Sequence, residues 1–120
     1  MSKTTEIARL AEILTRKSAA AGRDVNVSPV LSRLLTIERS LQRMGERRCN
    51  EPMSEEEEAR LSKREERLEV DAAQLAGSLG ASFYHQSDPR GCQVYLLFPG
   101  DLRDGQKAES YYTNGVAVCL

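Results

Sequence analysis

Two short constellations combine residue types able to do chemistry: Cys49-Asn50 and, further along, Asp88-Pro89-Arg90-Gly91. Brought together, Cys49, Asp88 and Arg90 would make a small site in which the planar guanidinium holds an anion. The same residues also have a purely structural use. Asn50 would end a helix, Asp88 and Pro89 would set a turn, and Arg90 would bond the unpaired carbonyls of a helix terminus. The structural use is the stronger reading, because turn residues need no other reason to stand in turns.

Charge placement supplies the next candidates. Arg39, Arg43 and Arg47 fall at i, i+4 and i+8, a spacing that aligns three guanidinium groups along a helix and could follow a phosphate backbone with salt-dependent affinity. Glu55, Glu56, Glu57 and Glu58, continued by Glu65, Glu66, Glu69 and Asp71, could imitate such a backbone and block a protein that grips one. Interleaved Arg60, Lys63, Arg64 and Arg67 favour ordinary helix-stabilising pairs instead. A short connector after residue 48 would also make two helices antiparallel and set the arginines opposite the acids, so mutual neutralisation is the leading reading. If a partner is bound, the candidate contacts are Arg39, Arg43, Arg47, Glu55, Glu56 and Glu58, with Leu61 as an apolar anchor.

Catalysis and metal binding draw little support. His85 is the single histidine, and it stands in a strand-like run rather than in a helical His-Glu-x-x-His pair. Cys49, Cys92 and Cys119 are odd in number and form no Cys-x-x-Cys clamp, which argues against a disulfide framework or a cysteine zinc site. Cys92 and Cys119 lie in strand patterns and read as small buried hydrophobes. The expectation is a protein that is not an enzyme, with no catalytic residues, no metal and no cofactor.

The elements that must position these groups follow from periodicity. Ile7, Leu10, Ala11 and Leu14 recur at helical spacing, which predicts a first helix from about residue 4 to Gly22. Ser28-Pro29 offers an N-cap with proline at the first helical position, and Val30, Leu34, Ile37, Leu41 and Met44 form the stripe of a second helix over 29–48. Asn50 and Pro52 end it. Ser54 and Glu57 make a capping box for a third helix striped by Leu61, Leu68, Ala72, Leu75 and Leu79, with Gly80 as its stop. Its first half, nearly all charged, is expected to project beyond the core or to pack on a partner.

After residue 80 the period changes. Residues 81–85 and 93–98 are rich in aromatic and β-branched types and flank turn chemistry at 87–91, which predicts a hairpin. Val116 to Leu120 makes a closing strand, and Asn114-Gly115 allows a fourth at Tyr111-Tyr112-Thr113. Val94, Leu96, Phe98, Val116, Val118 and Leu120 would face the helices. The fold class is α+β: a single domain over 1–120, three N-terminal helices within 1–80 and an antiparallel sheet of three to four strands within 81–120.

Composition agrees with that reading. With 120 residues, 40% of them hydrophobic and 29% charged, the chain suits one small folded domain and excludes large two-domain enzyme architectures. A net charge of −1 hides an asymmetry: residues 1–48 sum to +5 and residues 49–80 to −5. No run reaches the roughly 18 apolar residues of a membrane span, and Met1 to Glu6 lack the basic-then-apolar pattern of a signal peptide. The expected location is cytoplasmic, away from any membrane.

Arg47-Arg48-Cys49-Asn50 ahead of an acidic helix, followed by Tyr84-His85-Gln86-Ser87-Asp88-Pro89-Arg90-Gly91-Cys92-Gln93-Val94-Tyr95-Leu96, resembles a group of small bacteriophage and prophage proteins. These carry a helix ending in Glu-Cys-Asn-Gly and an Asp-Pro-Arg-Gly-Cys hairpin. Tyr112 to Val118 looks similar as well, while Arg48 and Glu51 depart from the pattern at the helix end. The resemblance implies a phage or mobile-element setting and no reaction; together with the small size, the divided charge and the lack of a catalytic constellation, it leads to the expectation of an accessory protein that binds a macromolecule stoichiometrically. The partner would be a protein or ribonucleoprotein of a bacterial defence system, inhibited in the manner of an anti-CRISPR protein. A nucleic-acid-binding regulator using helix 29–48 is the alternative. Apolar stripes left without partners suggest a homodimer, with Leu61 on the shared or target-facing surface.

Overall fold

In the computed structural model, which describes residues 3–85, 94–102, 105 and 117–120, three helices pack on a small antiparallel sheet. Helix α1 spans Lys3–Ala20, α2 Val27–Asn50 and α3 Glu55–Ser78. Strands β1 (Ser82–His85), β2 (Val94–Leu97) and β3 (Val118–Cys119) follow, with one 3-10 turn at Pro99–Asp101. The order is β1-β2-β3, and both pairings are antiparallel.

Glycine punctuation sets two of the helix ends as the sequence indicates. Gly22 (φ +78°) and Gly80 (φ +86°) take the left-handed conformation after α1 and α3. At the α3 end, Ala81 N–H donates to the Ala76 carbonyl and Gly80 N–H to that of Gly77, the paired bonds that satisfy a helix's last acceptors. Ser54 Oγ accepts the Glu57 N–H at 3.2 Å, so the expected cap of α3 is present.

Helix α2 departs from the expected boundaries at both ends. It begins at Val27, two residues before Pro29, with Asn26 as an N-cap that makes no side-chain cap bond. Proline is tolerated there because first-turn N–H groups have no intrahelical acceptor to lose. Asn50 is the last helical residue, and no residue other than glycine has positive φ among the described residues. Termination falls on Glu51, extended at φ −125°, ψ 135°, because the proline that follows disfavours the helical conformation at residue 51.

The core lies between the helices and one face of the sheet. Leu14 of α1, Val27, Leu31, Leu34, Ile37 and Leu41 of α2, and Ala72, Ala76 and Leu79 of the α3 end meet Val94, Leu96, Phe98 and Val118. The α2 stripe is phased one residue later than expected at its start: Leu31 is buried, and Val30 is half-buried. On the opposite face Tyr95 and Leu97 are also buried, against Tyr84, Leu102 and Ala117. All four β2 residues are therefore enclosed. Ser18, 1% exposed, is the one buried polar side chain among the described residues, and its hydroxyl has no hydrogen-bond partner.

Beyond this core, the C-terminal half of α2 and the N-terminal half of α3 continue as an antiparallel helical hairpin. The chain is elongated in consequence, 46 × 34 × 28 Å with a radius of gyration of 15.3 Å, against about 13.6 Å for a compact chain of this length. The first half of α3 thus projects beyond the main core, as one of the two expectations had it, and is docked there on α2. Leu61, expected at a partner surface, is buried at 7% exposure, as is Met44 at 5%.

Cys119 corrects another expectation. It is disulfide-bonded and solvent-exposed, not a buried thiol. Cys49 is free, and Cys92 lies outside the described residues. The turn at 87–91, with Asp88, Pro89, Arg90 and Gly91, and the fourth strand at 111–113 also lie outside the described residues.

Candidate functional site

A wide concave surface runs between α3 and β1. One face of α3 supplies Lys63, Glu66, Arg67, Val70 and Ala73, spaced by three and four residues as one helical face requires, and β1 supplies Phe83, Tyr84 and His85. They line an open groove of about 950 Å³. Its floor is apolar, and Val70 stands 57% exposed within it. The rim carries both signs of charge, from Lys63 and Arg67 and from Glu66 and Glu69.

At one end of this groove His85 Nδ1 lies 2.7 Å from Glu69 Oε1. Glu65, one turn before Glu69 on α3, brings its carboxylate close enough that one donor atom from each of Glu65, Glu69 and His85 falls within 4.8 Å of the others. Glu65 in turn accepts from Arg48 Nη1 at 2.5 Å. The same guanidinium donates from Nε to Glu58 at 3.0 Å and from Nη2 to Ser62 at 3.1 Å. Burial lowers the Arg48 pKa, but the hydrogen bonds and charges of Glu65 and Glu58 outweigh it and hold the group above its ordinary value. Arg48 is the clasp between α2 and α3.

The arginine row expected on α2 is divided. Arg47 donates from Nε to Glu51 at 3.0 Å and from Nη2 to Glu57 at 3.4 Å, which bears out the expected neutralisation across the two helices at that point. Arg39 and Arg43 make no ion pair among the described residues. Four residues advance a helix by about 400°, so the row drifts by about 40° at each step. Arg39 accordingly borders a cleft between α1 and α2. Arg43 and Arg47 instead join Arg64 of α3 around a second cleft of about 230 Å³ with Ser40, Met44 and Leu61. No acid lines it.

Of the remaining candidates, Glu58 is held by Arg48, whereas Glu55 and Glu56 are exposed at the start of α3 and unpaired among the described residues. Cys49 and Asn50 are exposed at the end of α2. Val70 was not among the sequence candidates, and Glu65, Glu69 and His85, like Arg48 and Arg64, were named there separately without being joined into a site. Val70 carried a signal: it falls outside the Leu61–Leu79 stripe and is a large aliphatic residue on a polar face.

No family model, curated protein or solved structure matches the chain. Among the described residues no helix is long and apolar enough to cross a membrane.

Proposed function

We propose that the protein acts by stoichiometric binding to another protein through the α3–β1 groove. On this proposal it serves a phage or mobile element, and the partner belongs to a bacterial defence complex. The observation that carries the binding reading is Val70, 57% exposed in a groove with Ala73 and Phe83 on its floor and both signs of charge on its rim. Such a surface suits a protein segment with an apolar anchor flanked by charges of both signs. A uniform polyanion would meet Glu66 and Glu69.

The test is restoration of phage plating in a host with an active defence system, on expression of the protein. Val70→Asp should abolish the effect while circular dichroism and melting temperature stay unchanged. Full protection by the Val70→Asp variant would remove the groove from the proposal. Light scattering that shows twice the 13.4 kDa chain mass, reduced to one chain by Val70→Asp, would assign the groove to a second copy instead.

The cleft of Arg43, Arg47 and Arg64 favours a second reading, nucleic-acid contact, because three guanidinium groups converge there with no acid lining it. On that reading charge reversal at Arg43 and Arg64 abolishes a mobility shift at low salt, and binding falls steeply as salt rises. The cytoplasmic location is likewise a proposal, and the Cys119 bridge bears on it, because disulfides are rare in reducing compartments. Thiol trapping from cells should find Cys119 reduced if the protein resides there.

A further inference from the structure

We infer that Glu65, Glu69 and His85 form a binding site for a first-row divalent transition-metal ion at the end of the α3–β1 groove. The donor set is one imidazole and two carboxylates, with one donor atom from each residue inside 4.8 Å. An ion bound at about 2.0–2.2 Å from each ligand places the donors about 3–4 Å apart. Small side-chain rotations are enough to close the set.

Both supporting elements are regular. Glu65 and Glu69 stand one turn apart inside α3, and His85 is fixed by its register against Val94 of β2. Arg48 bonds one oxygen of Glu65 and is itself tied to Glu58 and Ser62. Outer contacts of this kind orient ligating carboxylates in metal sites. The side chains of Glu65, Glu69 and His85 are 22%, 37% and 21% exposed, so they are partly desolvated yet open to the groove for ion entry.

The imidazole decides the class of ion. Mg²⁺ and Ca²⁺ favour all-oxygen shells, whereas Zn²⁺, Co²⁺ and Ni²⁺ accept a nitrogen donor beside carboxylates. Three protein ligands leave a coordination position, which water fills on the groove side. If the ion binds Nδ1, it takes the place now held by the Nδ1–H···Glu69 bond, and the neutral ring carries its proton on Nε2. This inference does not depend on the partner reading of the groove, and its test reads metal binding alone.

The full chain, stripped with a chelator, is titrated with ZnCl₂ by calorimetry and with Co²⁺ by visible absorption. One ion per chain is expected, with no competition from millimolar Mg²⁺. Because the chain has one histidine, its imidazole ¹H–¹⁵N spectrum reports on His85 alone, and Zn²⁺ should shift those ring signals. Glu69→Gln and His85→Gln should each weaken Zn²⁺ binding at least tenfold, whereas Glu66→Gln, on the groove rim outside the cluster, should leave it unchanged. Absence of binding, unchanged imidazole signals in the wild-type chain, or undiminished affinity in both variants would overturn the site. The imidazole measurement decides the matter even if a variant fails to fold.

Discussion

Truncation of Leu61 to alanine tests whether the projecting helical hairpin is held by its apolar contact. Leu61 is 7% exposed, and Met44, which lines the same cleft, is 5% exposed. Neither belongs to the main core. Buried Leu→Ala changes cost about 2.7–5 kcal/mol, with the lower values where the site relaxes or water enters. The cleft of about 230 Å³ beside Leu61 lets solvent reach the vacated space, so a loss of about 2–3 kcal/mol is expected. A domain of 120 residues has on the order of 10 kcal/mol of stability, so the variant stays folded. With about 4 °C per kcal/mol at this size, its melting temperature should fall by about 8–12 °C. Thermal and urea unfolding measure the loss, and hydrogen exchange should show faster opening of residues 41–65 than of the core. A melting shift under 2 °C would mean that the ion pairs alone hold the hairpin. Leu61→Glu should cost considerably more, since it buries a carboxylate beside Met44.

Four further outcomes are expected. Ser18→Ala should raise stability by about 1 kcal/mol in urea unfolding, because it removes a buried hydroxyl that has no partner. Gly80→Ala should lower it by more than 1 kcal/mol, since φ is +86° and the added Cβ would lie 2.9 Å from Ala21 Cβ. A double-mutant cycle of Arg48→Ala and Glu65→Ala should give a coupling of about 1 kcal/mol that shrinks in 1 M salt, as befits a partly exposed pair. Burial raises the Glu38 pKa, and Arg39 only partly offsets this. The native state therefore binds that proton more tightly than the unfolded chain, and Glu38 contributes stability below the unfolded pKa that is lost as pH rises through the folded one. Glu38→Gln should thus stabilise the protein at pH 7, with the gain vanishing at acid pH.

The three helices and the hairpin strands are legible in the sequence because period, caps and glycine stops agree there. Ser54, Gly22 and Gly80 mark ends by local chemistry alone. The phase of α2 was not fixed in that way: Val30 and Leu31 are adjacent apolar residues, and only the packing of α1 and the sheet decides which is enclosed. Leu61 read as a partner-facing anchor because its neighbours in sequence are charged, while its burial comes beside Met44 in another helix. The Glu65–Glu69 spacing is visible along the chain, but His85 lies 16 residues beyond Glu69 and joins the pair only after α3 reverses into β1.

The two ends of the fold are tied at very different chain separations. The Arg47 and Arg48 contacts between α2 and α3 span 10 to 17 residues, whereas the ion pair of Lys17 with Asp101 spans 84. Closing the longer loop costs about 1.4 kcal/mol more chain entropy than closing one of 17 residues. The α2–α3 hairpin can therefore assemble early, and α1 can pack on α2 beside it, whereas the Lys17–Asp101 tie forms only once the segment after β2 is in place. Mutations at Arg48 should therefore slow refolding, and mutations at Lys17 should chiefly quicken unfolding. A chain held at the early stage would present Leu31 and Leu34 without the cover of Val94, Leu96 and Phe98. Its exposure to proteases and to self-association is then set by how fast the sheet docks on the helices.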